Sequence, residues 1–206
     1  MKFSVVVSAM LIMALLVGCG SSEPETVSVD FSFISQKDLS IPDRDRWTAA
    51  VTAKDLESKA QVMHLATAAA TNLLTSKQAD VVSVSVELTP ELAGKGCPLA
   101  TASFSPDRKG WSGDNSSARW DVRLIKSWPS DNDMLAVLAW YRLRGNHLTD
   151  GLVDEDQLKQ AITKATGLTA DDIHTGLFNL CGNTTRAPFD DLSGISGWLE
   201  KALSDN

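Results

Sequence analysis

Val82-Ser83-Val84-Ser85-Val86-Glu87-Leu88 alternates apolar and polar residues without a break. A period of two places one set of side chains in a core and the other toward solvent, so the stretch predicts a half-buried strand. Its β-branched valines suit a pleated surface, and Pro90, which has no N–H for a ladder, ends it. Upstream the period changes. From Thr52 to about Thr75, Leu56, Ala60, Met63, Ala70 and Leu74 fall on one helical stripe, with Thr52 as cap and Asp55 in the capping-box position. The many alanines permit close approach to a sheet. Further out lie two more upstream strands, Val27 to Phe33 and Trp47 to Val51, and two downstream ones, Ala100 to Phe104 and Trp120 to Leu124. The order strand, strand, helix, strand, strand, strand predicts an α+β fold over residues 27–128. It has a five-stranded, mostly antiparallel sheet with one face covered by the packed helix.

After Pro129 the apolar period is helical. Ser130 caps a helix to about Arg144, Asp154 a second that stops at Gly167, and Thr169 a third that stops at Gly182. A loop containing Pro188 leads to a last helix from about Asp191 to Leu203. Charge changes at the same place. Residues 27–128 carry twelve basic and twelve acidic side chains, and residues 129–206 carry six and twelve, within a total of −7. The acidic balance argues against nucleic-acid binding and against adhesion to anionic lipid. Residues 129–206 are therefore expected to form a separate acidic helical region.

The N-terminus has another pattern. Lys2 is followed by an apolar run from Val5 to Val17, interrupted by Ser8 and closed by Gly18 and Cys19. At about a dozen residues the run is too short to span a bilayer, and the layout is that of a signal peptide over residues 1–18. Leu16-Val17-Gly18-Cys19 resembles the lipobox of bacterial lipoproteins. The resemblance implies that Cys19 carries a diacylglycerol, that cleavage precedes it, and that two or three acyl chains hold the protein at a membrane. Residues 19–26 then form a polar tether. With Gly20 rather than Asp after the lipidated cysteine, the family pattern implies the outer membrane, facing the periplasm, in a Gram-negative host. Within the first half, Ala102-Ser103-Phe104-Ser105-Pro106-Asp107-Arg108-Lys109-Gly110-Trp111, followed by Trp120-Asp121-Val122, is similar to a family of small bacterial and phage domains of unknown function. That resemblance implies no activity.

With Cys19 lipidated, Cys97 and Cys181 remain. In an oxidising compartment they can form a disulfide; two separately buried thiols are the alternative. Trp111, in a loop rich in Gly, Asp, Asn and Ser, is either an anchor for a partner or a cover for the sheet edge. The other motifs carry little chemistry. Asn146 to Gln157 partly matches a calcium loop, but Leu148 and Gln157 stand where oxygen ligands belong, and Asp150-Gly151 equally makes a turn. His64, His147 and His174 are scattered, with only Cys181 at helical spacing from His174. Gly194-Ile195-Ser196-Gly197 lacks the second glycine of a nucleophile elbow. Gly94-Lys95-Gly96-Cys97 lacks the spacing of a phosphate loop, and Asp43, Asp45 and Glu57 have no spacing that demands a carboxylate pair. No catalytic residue, metal site or cofactor is expected. The sequence predicts a non-catalytic, lipid-anchored cell-envelope protein binding another macromolecule, a protein or a cell-wall component. The alternatives are a hydrolase acting on envelope glycan or peptide and a structural, wall-associated lipoprotein.

Overall fold

The computed structural model of the protein describes residues 30–115 and 118–204. Strands β1 (Phe31–Asp38) and β2 (Arg46–Ala53) precede helix α1 (Lys59–Lys77). Strands β3 (Val81–Val86), β4 (Ala100–Phe104) and β5 (Trp120–Ile125) follow. Then come α2 (Asp131–Leu143), the short strands β6 (Leu148–Thr149) and β7 (Leu152–Val153), α3 (Glu155–Thr166) and α4 (Ala170–Leu177). The chain closes with β8 (Thr184–Phe189) and α5 (Leu192–Ser204).

The fold is α+β, with two corrections to the expected sheet. It has six strands, in the order β1-β2-β3-β4-β5-β8, and it is mixed, because β2 and β3 run parallel while every other pair is antiparallel. The parallel pair follows from connectivity: a strand that leaves through a helix on one face of the sheet returns in the same direction. The sixth strand is the segment expected to be a loop around Pro188. It pairs with β5, with Pro188 opposite Asp121, and as an edge strand it tolerates a residue without an N–H. The region after Pro129 thus returns one strand to the sheet.

The first helix begins later than its periodicity suggested. Thr52 and Ala53 pair with Ser32 and Phe31, so ladder hydrogen bonds claim the residue expected to cap it. Asp55 has a left-handed φ of 57° and breaks the chain direction, and Ser58 becomes the N-cap, its side chain accepting from the Gln61 N–H. The first strand is displaced too. Val27 and Val29 lie outside the described residues, while β1 runs on to Asp38 with an irregularity between Phe33 and Ser35.

The sheet face toward α1 follows the sequence closely. Val82, Val84, Val86, Ala102 and Val122 are fully buried there, against Val62, Leu65, Ala66, Ala69 and Leu73 of α1. At roughly 1.5–3 kcal/mol per buried large apolar side chain, this layer dominates the stability of the fold. A second cluster, Ala136, Leu158, Ile162, Leu168 and Ile173, holds α2, α3 and α4 together. Here α2 and α4 touch backbone to backbone. A methyl group added at Gly176 would sit 2.8 Å from Ala136 Cβ and 3.0 Å from Asp133 Cα. Ser130 with Asp133 and Thr169 with Asp172 form reciprocal capping boxes that start α2 and α4.

Candidate functional site

Ser105 to Gly113 connects β4 toward β5, and one side chain from elsewhere in the chain organises it. Arg44 lies in the turn before β2 and is 6% exposed. Its Nε and Nη2 donate to the carbonyl of Gly110 at 2.9 and 2.6 Å, and Nη2 also donates to Ser105 Oγ at 3.0 Å. Nη1 and Nη2 donate to the two Asp107 oxygens at 2.9 and 3.3 Å. The loop reinforces this from within: Ser105 Oγ donates to Asp107 Oδ1 at 2.8 Å, and the N–H groups of Lys109 and Gly110 donate to Asp107 Oδ1 and Ser105 Oγ. The Arg44 guanidinium, aided by these donors, holds the Asp107 carboxyl well below the usual carboxylate range. Arg108, Gly110 and Gly113 all have positive φ, a tight path that this clamp fixes.

Trp111 stands on the clamped loop. It is half-buried, with the Arg46 guanidinium 5.4 Å from its ring centroid, close enough for a cation–π contact. Part of the ring surface remains open to solvent. A rigid aromatic on a preorganised loop suits recognition, because little ordering entropy remains to be lost on binding.

A cleft of about 810 Å³ opens near the C-terminal end of β2, lined among others by Asp30, Phe31, Thr52, Lys54, Asp55 and Gln61. Its carboxylates Asp30 and Asp55 are exposed. The carboxyl that burial does push up belongs to Glu87, which is 2% exposed and absent from the cleft lining. Ser85 Oγ donates to Glu87 Oε1 at 2.8 Å, and Oε2 has no partner.

The remaining sequence motifs resolve into structure. Cys19 lies outside the described residues. Cys97 and Cys181 are joined, with Cα atoms 4.1 Å apart and a sequence separation of 84. The Gly94 to Gly96 turn, with positive φ at both glycines, delivers Cys97 to that bond, and the Lys95 carbonyl accepts from the Tyr141 hydroxyl at 2.8 Å. The calcium-like segment is the β6–β7 hairpin, with Asp150-Gly151 as its turn and both residues at positive φ. Asp154 then caps α3. The hairpin leaves Leu148 and Leu152 exposed, an apolar tip that periodicity did not signal. His64 and His174 are exposed on α1 and α4, and His147 precedes β6. No group of three or more His, Cys, Asp or Glu gathers as a metal site among the described residues. Ser196 lies inside α5 and donates to the Leu192 carbonyl, as a helical serine does. Asp43 and Asp45 precede β2 and Glu57 follows it, so a whole strand separates them.

Sequence reading missed the clamp. Arg44 lies 61 to 66 positions from its partners, and no local pattern joins them. Ser105-Pro106-Asp107 is a local hint, since Ser and Asp flanking Pro favour a turn closed by their own side chains.

Fold and clamp together define a small α+β domain with a mixed six-stranded sheet and a helical cap. The chain belongs to a family described as a domain of unknown function, DUF4875, whose profile matches residues 27–178. Among solved structures it is similar to the crystal structure of a DUF487 family protein from Desulfovibrio piger ATCC 29098. The two are 25% identical with a TM-score of 0.63, and the match covers 79% of this chain and 96% of that one. No curated protein matches the chain.

Proposed function

We propose that this chain is a lipid-anchored cell-envelope protein that binds another macromolecule at the membrane surface and does not transform it. The observation that carries the binding role is the pairing of Trp111 with Arg46 on a loop held rigid by Arg44. Trp and Arg are the residue types that dominate binding hot spots, and preorganisation lowers the entropy of engaging them. The anchor rests on Leu16-Val17-Gly18-Cys19. A short tether after Cys19 raises the effective concentration of the domain for neighbours at the same surface. No helix among the described residues is long and apolar enough to cross a membrane, so in this reading the lipid alone holds the domain there. The hydrolase alternative has in its favour only that Asp30 and Asp55 line one cleft, and neither is desolvated as a general acid requires.

Two experiments test the two parts. Metabolic labelling with a clickable fatty acid is expected to mark the protein and not its Cys19→Ser variant; an unmarked wild type ends the anchor reading. Crosslinking in intact cells is expected to give a discrete adduct that Trp111→Ala loses while keeping its melting temperature. Absence of any adduct with the wild type ends the binding reading.

A further inference from the structure

The sheet face opposite α1 is chemically unlike the rest of the molecule. Strand registers set Thr48, Ser83 and Ser103 in one row across its centre and Ala50, Ser85 and Thr101 in the next. The Ser83 and Ser103 hydroxyls are bonded to each other at 2.9 Å, and all the hydroxyl-bearing residues of the two rows remain partly accessible. This centre is a floor of small, hydroxylated side chains. The same registers place Lys37, Arg46, Arg123 and Arg186 on this face, against two carboxylates: Asp121, which Arg186 engages, and Glu87 at the end of β3, which is buried and accepts from Ser85 Oγ. Four cations thus face two carboxylates, one of them paired and the other buried, on a chain whose net charge is −7. The nearest loop carboxylates are already engaged, Asp107 by Arg44 and Asp190 by Arg108.

Arg123 and Arg186 are register partners, directly opposite each other. Like charges so placed destabilise a sheet; Asp121 offsets Arg186, and no ion pair among the described residues offsets Arg123. The excess positive charge is complementary to a polyanion, and the acidic remainder of the surface confines such a ligand to this face. The floor narrows the class further. A protein partner draws its affinity from apolar anchors at the centre of an interface, and this centre offers one alanine methyl and five hydroxyl groups. A sugar chain needs what is present: hydroxyls to exchange hydrogen bonds, Arg forks for carboxylate or phosphate groups, and at one end an indole, Trp111, to stack on a pyranose ring.

We infer that the open sheet face is a binding surface for an anionic glycan, with Arg123 holding its acidic groups and Trp111 stacking a sugar ring at the Arg46 end. This deepens the binding role proposed above and rests on it, but it is independent of the lipid anchor.

The test is calorimetric titration of the full chain in non-ionic detergent with oligogalacturonate, with dextran as the neutral control. Oligogalacturonate is expected to bind with an affinity that falls as salt rises, and dextran is not. Losing one exposed charge contact in Arg123→Gln is expected to weaken binding by about fivefold. Trp111→Ala is also expected to weaken it, and Lys164→Gln, on α3 away from the face, is expected to leave it unchanged. No binding at low salt, or equal binding by Arg123→Gln, overturns the inference. Tighter binding to a single-stranded oligonucleotide or to phosphatidylglycerol vesicles also overturns it and reassigns the face to nucleic acid or to a lipid surface. A crosslinked adduct that proves to be a protein refutes the glycan while leaving the binding role standing.

Discussion

Replacing Arg44 by Met keeps much of the side-chain volume and removes five hydrogen bonds and one ion pair at once. Removing one partner of a buried pair costs about 3–5 kcal/mol when the other is stranded without water. Asp107 is not stranded, because its side chain is 37% exposed and can rehydrate when the arginine leaves. The Gly110 carbonyl and Ser105 Oγ lose their donors in a more enclosed place, since Ser105 is 4% exposed. Arg44→Met is therefore expected to cost about 2–3 kcal/mol, within the range of charge-assisted hydrogen bonds and below that of a fully buried pair. Arg44→Lys keeps the charge without the fork, so it is expected to cost less, about 1–2 kcal/mol. Urea unfolding followed by tryptophan fluorescence measures both. Amide exchange adds the local readout: Arg108, Lys109 and Gly110, whose N–H groups bond within the clamp, are expected to lose protection in Arg44→Met. The pH dependence has a definite sign. The folded pKa of Asp107 is depressed, so the stability it contributes is present above the unfolded aspartate range, near pH 4, and is lost as pH falls toward the folded value. The gap between wild type and Arg44→Met is expected to shrink over that interval. A variant within about 0.5 kcal/mol of wild type with unchanged loop exchange refutes the clamp.

Gly176→Ala is expected to destabilise by about 1–3 kcal/mol despite alanine's better helix propensity, because its methyl group meets the α2 backbone at Asp133. Unchanged urea stability would show that the two helices can part without cost. For Glu87, burial raises the folded pKa, so the folded state holds its proton more tightly than the unfolded chain and stability falls as pH rises from the ordinary glutamate range through the raised value. Glu87→Gln is expected to flatten that part of the melting-temperature profile and raise stability at neutral pH; an unaltered slope refutes it. Cys97→Ser with Cys181→Ser opens a loop of 84 positions, worth about 4.5 kcal/mol in the chain-entropy estimate, and is expected to lower the urea midpoint accordingly. Alkylation of both thiols in the folded, unreduced protein would refute the bond.

What could be read in advance was local. Val82 to Val86 alternates because its valines pack beneath α1, and that packing needs only the right period. Caps at Ser130 and Thr169 and the stop at Gly167 were legible because the hydrogen bonds that make them span three or four residues. Errors arose where a distant partner outbid a local preference. Thr52 could have capped a helix, but Ser32 offered it a ladder. Pro188 looked like a loop residue until β5 supplied a neighbour on one side and left the other open. The clamp was hidden for the same reason, since neither Arg44 nor Asp107 has a sequence neighbour that marks it as half of a pair.

Charge on the open sheet face shows the same limit acting on function. Along each strand, Ser83, Thr101 or Arg123 reads only as a polar residue turned outward. Registers alone align the hydroxyls into a floor and set Arg123 against Arg186. Net composition pointed away from anionic partners, because long-range repulsion scales with total charge. Contact does not average in this way. Within about one Debye length a ligand feels the nearest side chains, and on this face those are cationic. An acidic protein can thus present a basic surface, and the acidic remainder sharpens the surface by repelling the same ligand everywhere else. The clamp gives that surface a fixed end: without Arg44, the loop that carries Trp111 loses the bonds that hold the indole beside Arg46.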